Sequence, residues 1–473
     1  MGDDKDIRFP SYEGLDDEKK AEVDRLVEEY LDYLDEARTV HTTVNKTIEL
    51  AEKEGYIKYR EGMTLDDIGD SPGVYFVDRN HLNVAVVRFG EKDITHGLNI
   101  AGAHVDFCSL LNKRHSLIEK EDGVYLDTKP YGGFYSHQWM DKQLKVIGET
   151  VLDIKNEEGK IVGHKILKWE ISGTIPEATI HNPGGPRSKD NYNDMFPMED
   201  LDVFTGYTSK EAFLKEISRQ ASEQVGETVE ITEELFNSGK TEFTVVPANQ
   251  PKIIGDYIVG YGHDDRSCMF AATKAILNSK DSIYTSIVLG VAREEIGSTA
   301  KGGAKDKFFD NVVKAVAEMQ GIDNVDLDKI YRKSIMYSAD VDIAYNPQNS
   351  SVNDKENCSK FGYGAAIVIS NGRNGNPTGN YITARDLVYF TDALDNRGIP
   401  YQVNSLPSKV GIGGGGGTIA KYYSEKGILT ADLGVPVGNM HGLNSRIYKG
   451  DLYAVEKAFE SLIERDFELS YFG

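Results

Sequence analysis

Residues 284–303 read YTSIVLGVAREEIGSTAKGG, and the fold is best inferred by starting from this stretch. It opens as an apolar run rich in β-branched side chains, which is typical of a buried strand. The run stops at two adjacent carboxylates, Glu294 and Glu295. Because like charges that share a site raise one another's pKa, we expect a neighbouring group or cation to stabilise this pair.

Strand-like and helical runs alternate on both sides of this stretch. The apolar runs that predict further strands are residues 74–78, 82–90, 96–106, 257–262, 334–340 and 428–438. Helical spacing of apolar residues marks residues 16–36, 40–51, 269–277, 308–319, 384–398 and 451–463. This alternation predicts an α/β fold, a three-layer sandwich in which helices flank a central mixed sheet.

The middle of the chain has a different character. Residues 107–253 are rich in charge, Gly-Gly turns and short β-like runs, and they contain the polar loop-like stretch HNPGGPRSKDNYNDM. We therefore predict a discontinuous catalytic domain over residues 1–106 and 254–473, with a β-rich insertion over residues 107–253.

Bulk composition excludes several function classes. The chain has 473 residues, 40% of them hydrophobic, which is ample for a packed core. A formal net charge of −23 argues against nucleic acid as a partner and favours divalent cations. Apolar runs of about 18 residues are missing, so we expect no membrane span.

The expected location is the reduced cytoplasm. The N-terminal stretch MGDDKDIRFPSYEG is acidic and polar, unlike a signal or transit peptide. The chain has 3 cysteines and no CxxC pair, which does not suggest a disulfide framework.

Imidazole or carboxylate groups follow five of the strand-like runs. A lone His or Asp at such a position is more often a cap or turn residue, but five in one chain point to a shared site at strand ends. Imidazoles with several carboxylates suit zinc, manganese or cobalt. The candidates are His104 with Asp106, His263 with Asp264 and Asp265, Glu294 with Glu295, Asp340 with Asp342, and His441.

This set of candidate ligands explains why two glutamates stand side by side at the end of a strand. One glutamate can bind a metal ion while its neighbour acts as general base. Two metal ions bridged by a carboxylate would polarise a carbonyl group. The residues alone therefore favour metal-assisted hydrolysis of an amide or a similar bond.

Five motifs in a fixed order resemble the aspartyl aminopeptidase and aminopeptidase I family of dinuclear zinc metallopeptidases, in its bacterial type. They are GAHVD, YGHDDRSC, AREEIGS, YSADVD and VGNMH. The segments YGGFYSHQWMDKQL and KVGIGGGGGTIAKY are also similar, so the resemblance covers nearly the whole chain.

The resemblance implies a role for each matching residue. Glu294 would be the general base. Asp106 would orient the metal-bound imidazole of His104 without binding the metal itself. Two divalent ions, zinc by resemblance, would be held by His104, Asp264, Glu295, Asp340 and His441, with Asp264 as the bridge.

A run of five glycines, residues 413–417, has more than one interpretation. A phosphate-binding loop would need a following Lys-Ser/Thr, which is missing here. In the resembled family such a loop lies beside the site, so Gly415 and Gly416 would contact a peptide substrate. A plain turn remains an alternative. In the family, a His of the inserted domain reaches a neighbouring subunit's substrate pocket. Glu177 stands at that position here, so His181 would take over this role.

Two departures from the family bear on the substrate. Ile343 stands where many members have a His, and Val368 and Ile369 stand where members that prefer acidic N-termini have a Lys. With no cation there to meet a substrate carboxylate, we expect a preference for neutral or hydrophobic N-terminal residues.

The family builds closed homo-oligomers, commonly tetrahedral dodecamers, from dimers made through the inserted domain. The resemblance therefore implies peptide substrates, a homo-oligomer, and a dimerisation or lid role for residues 107–253. Two other hypotheses stay open at this point: a deacylase or carboxypeptidase on the same scaffold, and a non-catalytic binding shell. An aminopeptidase would reject a substrate with a blocked N-terminus, whereas a deacylase would accept it.

Overall fold

The computed structural model divides into two compact units. It describes residues 9–179, 181, 189, 191–279, 282–373, 376–405 and 417–469. The larger unit comprises Met1–Phe107, Pro251–Met440 and Asn444–Gly473, and the smaller comprises Cys108–Gln250 and His441–Leu443. The smaller unit is therefore inserted into the sequence of the larger one, and the short segment His441–Leu443 also belongs to it.

Helices and strands alternate through the larger unit, while long strands dominate the smaller one. The helices are α1 (Pro10–Glu13), α2 (Asp17–Glu36), α3 (Val40–Lys53), α4 (Tyr192–Met195), α5 (Lys210–Val225), α6 (Glu233–Phe236), α7 (His263–Asn278), α8 (Phe308–Met319), α9 (Leu327–Tyr331), α10 (Ala384–Arg397), α11 (Ala420–Ser424) and α12 (Lys449–Ile463). The strands are β1 (Ile57–Lys58), β2 (Gly73–Val77), β3 (Val84–Arg88), β4 (Asn99–His104), β5 (Ser109–Lys120), β6 (Gly123–Tyr131), β7 (Gln143–Lys155), β8 (Ile161–Thr174), β9 (Val203–Phe204), β10 (Thr241–Pro247), β11 (Lys252–Ile254), β12 (Tyr257–Gly260), β13 (Ser286–Val291), β14 (Ile335–Ala339), β15 (Asp342–Ile343), β16 (Ala365–Val368), β17 (Ser370–Arg373), β18 (Asn376–Tyr381), β19 (Tyr401–Asn404), β20 (Leu429–Gly434), β21 (Pro436–Gly438) and β22 (Ser445–Tyr448).

A nine-stranded sheet forms the centre of the larger unit, in the order β1-β2-β3-β13-β4-β14-β20-β16-β19. The apolar run that precedes Glu294 forms β13, which pairs parallel with β4 and antiparallel with β3. β14 pairs parallel with both β4 and β20. Because β13, β4 and β14 share one direction, their carboxyl ends lie at one edge of the sheet. The predicted α/β class is confirmed.

Alternate side chains of the sheet enter two separate hydrophobic clusters. In β13, Val288 belongs to the first cluster, whereas Ile287 and Leu289 belong to the second. The first cluster contains buried side chains of α2, α3, α7, α10 and α12. The second contains buried side chains of α8, α9 and α11. Such continuous apolar strands form because both of their faces are buried under helices.

A second sheet, in the order β11-β12-β22-β21-β15, corrects part of the strand-end prediction. β12 ends at Gly260, and His263 begins α7 instead of ending a strand. Gly262 has a φ of 70° and makes the tight turn between the two elements. β21 likewise ends at Gly438, before His441. After both strands, β12 and β21, a turn therefore separates the end of the strand from the candidate ligand.

The smaller unit contains a closed barrel in the order β10-β5-β6-β9-β8-β7. Its core centres on Trp169, whose ring packs against Phe213, Phe236 and Phe243. The buried indole Nε1 donates a hydrogen bond to Thr150 Oγ1 at 3.1 Å. The smaller unit therefore has a hydrophobic core of its own.

The helices and the cysteines provide two further observations. Among the residues that the structure describes, none of the helices combines the length and the apolar character needed to cross a bilayer. Cys108, Cys268 and Cys358 are all described, are buried, and form no disulfide.

Candidate metal centre

Three ligand-type side chains converge at the carboxyl edge of the large sheet: His104, Asp264 and Asp340. One donor atom from each lies within 4.8 Å of the others. His104 Nε2 is 3.0 Å from Asp264 Oδ1 and 4.0 Å from Asp340 Oδ1. The side chain of Asp340 is only 14% exposed, and the other two are more deeply buried. Three of the ligands expected from the sequence are thus brought together.

Strand pairing and a helix start bring these side chains to one place. His104 is the last residue of β4, and Asp340 directly follows β14. The parallel register aligns Gly102 with Ser338, so both chains reach the same edge two residues later. Asp264 lies in the first turn of α7 with non-helical dihedral angles (φ −83°, ψ 105°), and the peptide bond that follows it is cis.

The backbone fixes the orientation of the His104 ring. Nδ1 lies 2.8 Å from the backbone oxygen of Asp106. A carbonyl oxygen can only accept, so Nδ1 donates to it, and Nε2 is the ring nitrogen that faces the cluster, 3.0 Å from Asp264 Oδ1. The backbone N–H of His104 donates to Asp265 Oδ2 at 3.3 Å. The Asp106 side chain, which we expected to orient the ring, lies beside the same nitrogen, with its Oδ1 3.5 Å from Nδ1.

The Asp106 carboxylate also holds the turn that carries the paired glutamates. Its Oδ1 accepts from the backbone N–H of Glu294 at 3.1 Å, and its Oδ2 accepts from that of Glu295 at 3.2 Å. These glutamates belong to a short 3₁₀ turn, Glu294–Ile296, just after β13. Asp106 and Glu294 are 188 residues apart in the chain, so no local pattern could reveal this contact.

The cluster holds an excess of buried negative charge. Burial raises the pKa of Asp340 well above its usual range, and the charge of Asp264 raises it further. Burial also raises the pKa of Glu294 to about 8, against the opposing effect of His104. Burial alone would lower the pKa of His104, but hydrogen bonds to carboxylates outweigh it and raise that pKa well above its usual value. A divalent cation among these groups would reverse these shifts and stabilise the carboxylates.

The donor set fits zinc. One imidazole nitrogen and two carboxylate oxygens are ligand types that zinc accepts, and three protein ligands leave a position open, as in catalytic zinc sites. The N–H of His104 that faces away from the cluster is fixed by a carbonyl, which is the usual support of a metal-bound histidine.

Two residues next to the ligands have structural contacts of their own. His263 is fully buried, its Nδ1 lies 2.7 Å from the Tyr30 hydroxyl, and burial lowers its pKa to about 3. Asp342, which we expected in a turn, instead begins β15 and accepts a hydrogen bond from the Ser359 hydroxyl. Both therefore have partners that explain their burial without a ligand role.

The remaining candidates are not in this cluster. His441 belongs to the smaller unit, where its Nδ1 lies 2.6 Å from the backbone oxygen of Gly133. His181 is exposed in the same unit. Gly415 and Gly416 lie outside the described residues.

Comparisons with known proteins point to one family. The sequence profile of the family described as aminopeptidase I zinc metalloprotease (M18) matches residues 33–462. A probable M18 family aminopeptidase 1 from Thermotoga maritima is 32% identical over 461 residues, which cover 94% of this chain and 97% of the relative. The crystal structure of an M18 family aminopeptidase from Thermotoga maritima has a TM-score of 0.81 at 29% identity, covering 94% of this chain and 97% of that one.

One more distant solved structure is similar in fold alone. The Saccharomyces cerevisiae mApe1 dodecamer has a TM-score of 0.70 at 20% identity, covering 92% of this chain and 95% of that chain. The similarity to known proteins therefore extends over nearly the whole chain.

Proposed function

The chain belongs to the M18 family of aminopeptidase I zinc metalloproteases, and from that premise we propose that it removes the N-terminal residue of peptides at a carboxylate-bridged centre for two zinc ions. Metal-dependent aminopeptidase chemistry follows from the membership itself. The proposed parts are the second ion, the role of each residue and the preferred N-terminal residue.

One observation carries the proposal: the convergence of His104, Asp264 and Asp340 within 4.8 Å. Buried carboxylates this close together are unfavourable unless a cation or hydrogen-bond donors neutralise them. The charge of Asp264 raises the pKa of Asp340, and the hydrogen bond from Nδ1 fixes the His104 ring with Nε2 toward the cluster. Both observations support a first zinc ion here.

The second ion is proposed from the family resemblance and from residue chemistry. Glu295 and His441 would be its ligands, and Asp264 would be shared between the two ions. Glu295 is held by its backbone on the Asp106 carboxylate, which supports a fixed position for its side chain.

Zinc bound at this centre would act as a Lewis acid that polarises the carbonyl group of the scissile bond. Glu294 would take a proton from the attacking water and deliver it to the leaving amine. Asp106 would position both glutamates through their backbone N–H groups.

The proposed substrate preference is for neutral or hydrophobic N-terminal residues. Val368 is 4% exposed and lies in β16, paired with Asp432 on one side and Asn404 on the other. Ile369 packs against the first hydrophobic cluster. Neither position offers a cation to an acidic side chain, and Ile343 adds no polar group to β15.

The assembly is proposed as a dimer-based homo-oligomer, and the solved Saccharomyces cerevisiae mApe1 is a dodecamer. The barrel of the smaller unit would serve as dimerisation or lid domain, and its His181 would line a neighbouring subunit's substrate pocket. Gly415 and Gly416 would contact the peptide. The finer fold prediction, a three-layer sandwich, is supported by the two clusters on opposite faces of the sheet. The cytoplasm is the proposed location, supported by three cysteines without a disulfide.

The test is a panel of aminoacyl p-nitroanilides with Leu, Met, Asp, Glu and Lys, measured on zinc-loaded protein beside N-acetyl-Leu p-nitroanilide. We expect fast release from Leu and Met, slow release from Asp and Glu, and none from the acetylated substrate. Fast release from Asp would contradict the proposed preference. Hydrolysis of the acetylated substrate would favour a deacylase instead.

A further inference from the structure

The turn that carries the glutamates is closed by its own backbone. The N–H of Gly297 donates to the carbonyl of Glu294 at 2.7 Å, and the N–H of Ser298 donates to that of Arg293 at 2.7 Å. Arg293 and Ser298 both have positive φ values, 68° and 58°. Non-glycine residues pay about 1 kcal/mol or more for such a conformation, so this turn depends on the contacts that hold it.

Two side chains from distant parts of the chain fasten this turn. The Asp106 carboxylate holds its beginning, through the N–H groups of Glu294 and Glu295. At its end, the Tyr422 hydroxyl donates a hydrogen bond to the carbonyl oxygen of Gly297 at 3.0 Å. The backbone of Gly297 therefore contacts Glu294 through its N–H and Tyr422 through its carbonyl oxygen.

A hydrogen bond and a buried ring hold the segment that carries Tyr422 in place. Thr418 Oγ1 donates to Asp432 Oδ1 of β20 at 2.7 Å. Tyr423 is fully buried in the second hydrophobic cluster, with its ring edge-on to Phe309 at 5.3 Å between centroids. The Tyr422 hydroxyl is thus held by a packed element and can fix the turn.

We infer that Tyr422 is a positioning residue for catalysis, which acts through Gly297 on the placement of Glu294. This inference rests on the proposed function, because it needs Glu294 to be the general base. Gly297 is exposed, so water can replace the hydroxyl as donor to its carbonyl. Loss of the hydroxyl therefore changes the placement of the turn more than the stability of the fold.

The experiment compares Tyr422→Phe with Tyr423→Phe, each loaded with zinc and assayed on Leu p-nitroanilide. Tyr423 is the matched control, because its buried hydroxyl has no hydrogen-bond partner in the part of the chain that the structure describes. We expect Tyr422→Phe to lower kcat about threefold to tenfold, since small displacements of reacting groups are costly. KM, zinc content and Tm should stay at wild-type values, and Tyr423→Phe should keep wild-type kcat.

A double mutant identifies the residue through which Tyr422 acts. If it acts through Glu294, Tyr422→Phe should have no further effect on the residual kcat of Glu294→Gln, because effects on one working unit are not additive. Wild-type kcat in Tyr422→Phe, or the same fold-loss in both backgrounds, would overturn the inference. Failure of the general-base assignment itself is read separately, from the single variant Glu294→Gln.

Discussion

Two buried acidic regions of the larger unit are built in opposite ways. In the first turn of α12, Asp451 is completely buried, and its carboxylate accepts three protein hydrogen bonds. Ser11 Oγ and the Gly364 N–H donate to Oδ1, each at 2.8 Å, and the Gly362 N–H donates to Oδ2 at 2.7 Å. At the sheet edge, by contrast, Asp340 has another carboxylate, Asp264, as its neighbour.

The difference separates a structural acid from a proposed metal ligand. A buried carboxylate that receives three donors from the protein is satisfied as it stands. Carboxylates that face one another and a single imidazole are not, and they call for a cation. Burial alone is therefore no sign of a metal site, since both regions are buried; what distinguishes them is whether the partners are donors or other acids.

The largest expected effect concerns catalysis. Replacing Glu294 by Gln removes the proposed general base and should lower kcat by about 100-fold or more, with zinc content unchanged. Asp451→Asn, the matched change in the structural region, should keep wild-type kcat because it lies outside the cluster. Steady-state assays on Leu p-nitroanilide check both. A near-normal kcat for Glu294→Gln would remove its assigned role.

The next effect concerns zinc affinity. Asp340→Asn should weaken zinc binding by about 100-fold. Replacing even a residue that only hydrogen-bonds a metal ligand lowers metal affinity by about 10- to 100-fold. Competition with a zinc indicator dye measures the affinity, and Asp451→Asn serves as control. Equal zinc affinity in wild type and Asp340→Asn would show that the converging carboxylates are not ligands.

A smaller effect separates the two regions by stability. Asp451→Ala leaves the N–H groups of Gly362 and Gly364 and the Ser11 hydroxyl without their acceptor. We expect it to lower the free energy of unfolding by about 2 kcal/mol or more. In metal-free protein Asp340→Ala should cost less, since it relieves repulsion between carboxylates. Urea unfolding of the metal-free variants provides the measurement, and a larger loss for Asp340→Ala would reverse the comparison.

The last expected effect is a pH dependence of stability. Burial raises the pKa of Asp451 to about 7, from an ordinary value of 3.8. The folded state therefore holds this proton more tightly than the unfolded state, so the group's contribution to stability falls as pH rises from about 4 to about 7. Wild type should lose more unfolding free energy between about pH 5 and pH 8 than Asp451→Asn. Parallel pH profiles would contradict this assignment.

Much of the fold could be predicted because its signals are local. The apolar spacing of residues 308–319 predicted a helix with the bounds that α8 has, and the run before Glu294 predicted β13. Such periodicity reflects which face of an element is buried, and that is written into neighbouring residues.

Contacts between distant segments could not be predicted in this way. Asp106 reaches Glu294 over 188 residues, and Ser11 reaches Asp451 over 440. Asp451 looked like an ordinary residue of an amphipathic helix, and nothing near it in the chain indicates its donors. The membership of β12 and β21 in a second sheet was missed for the same reason, because strand pairing is decided by tertiary packing.

The most direct measurement is a zinc titration of metal-stripped protein, in which zinc content and hydrolysis of Leu p-nitroanilide are followed together in wild type and Asp340→Asn. We predict no hydrolysis before zinc is added, a rate that rises to a plateau at two bound ions per subunit, and a shift to higher zinc concentration in the variant. Full activity in metal-free protein, or identical curves for wild type and Asp340→Asn, would contradict a zinc centre built on these buried carboxylates.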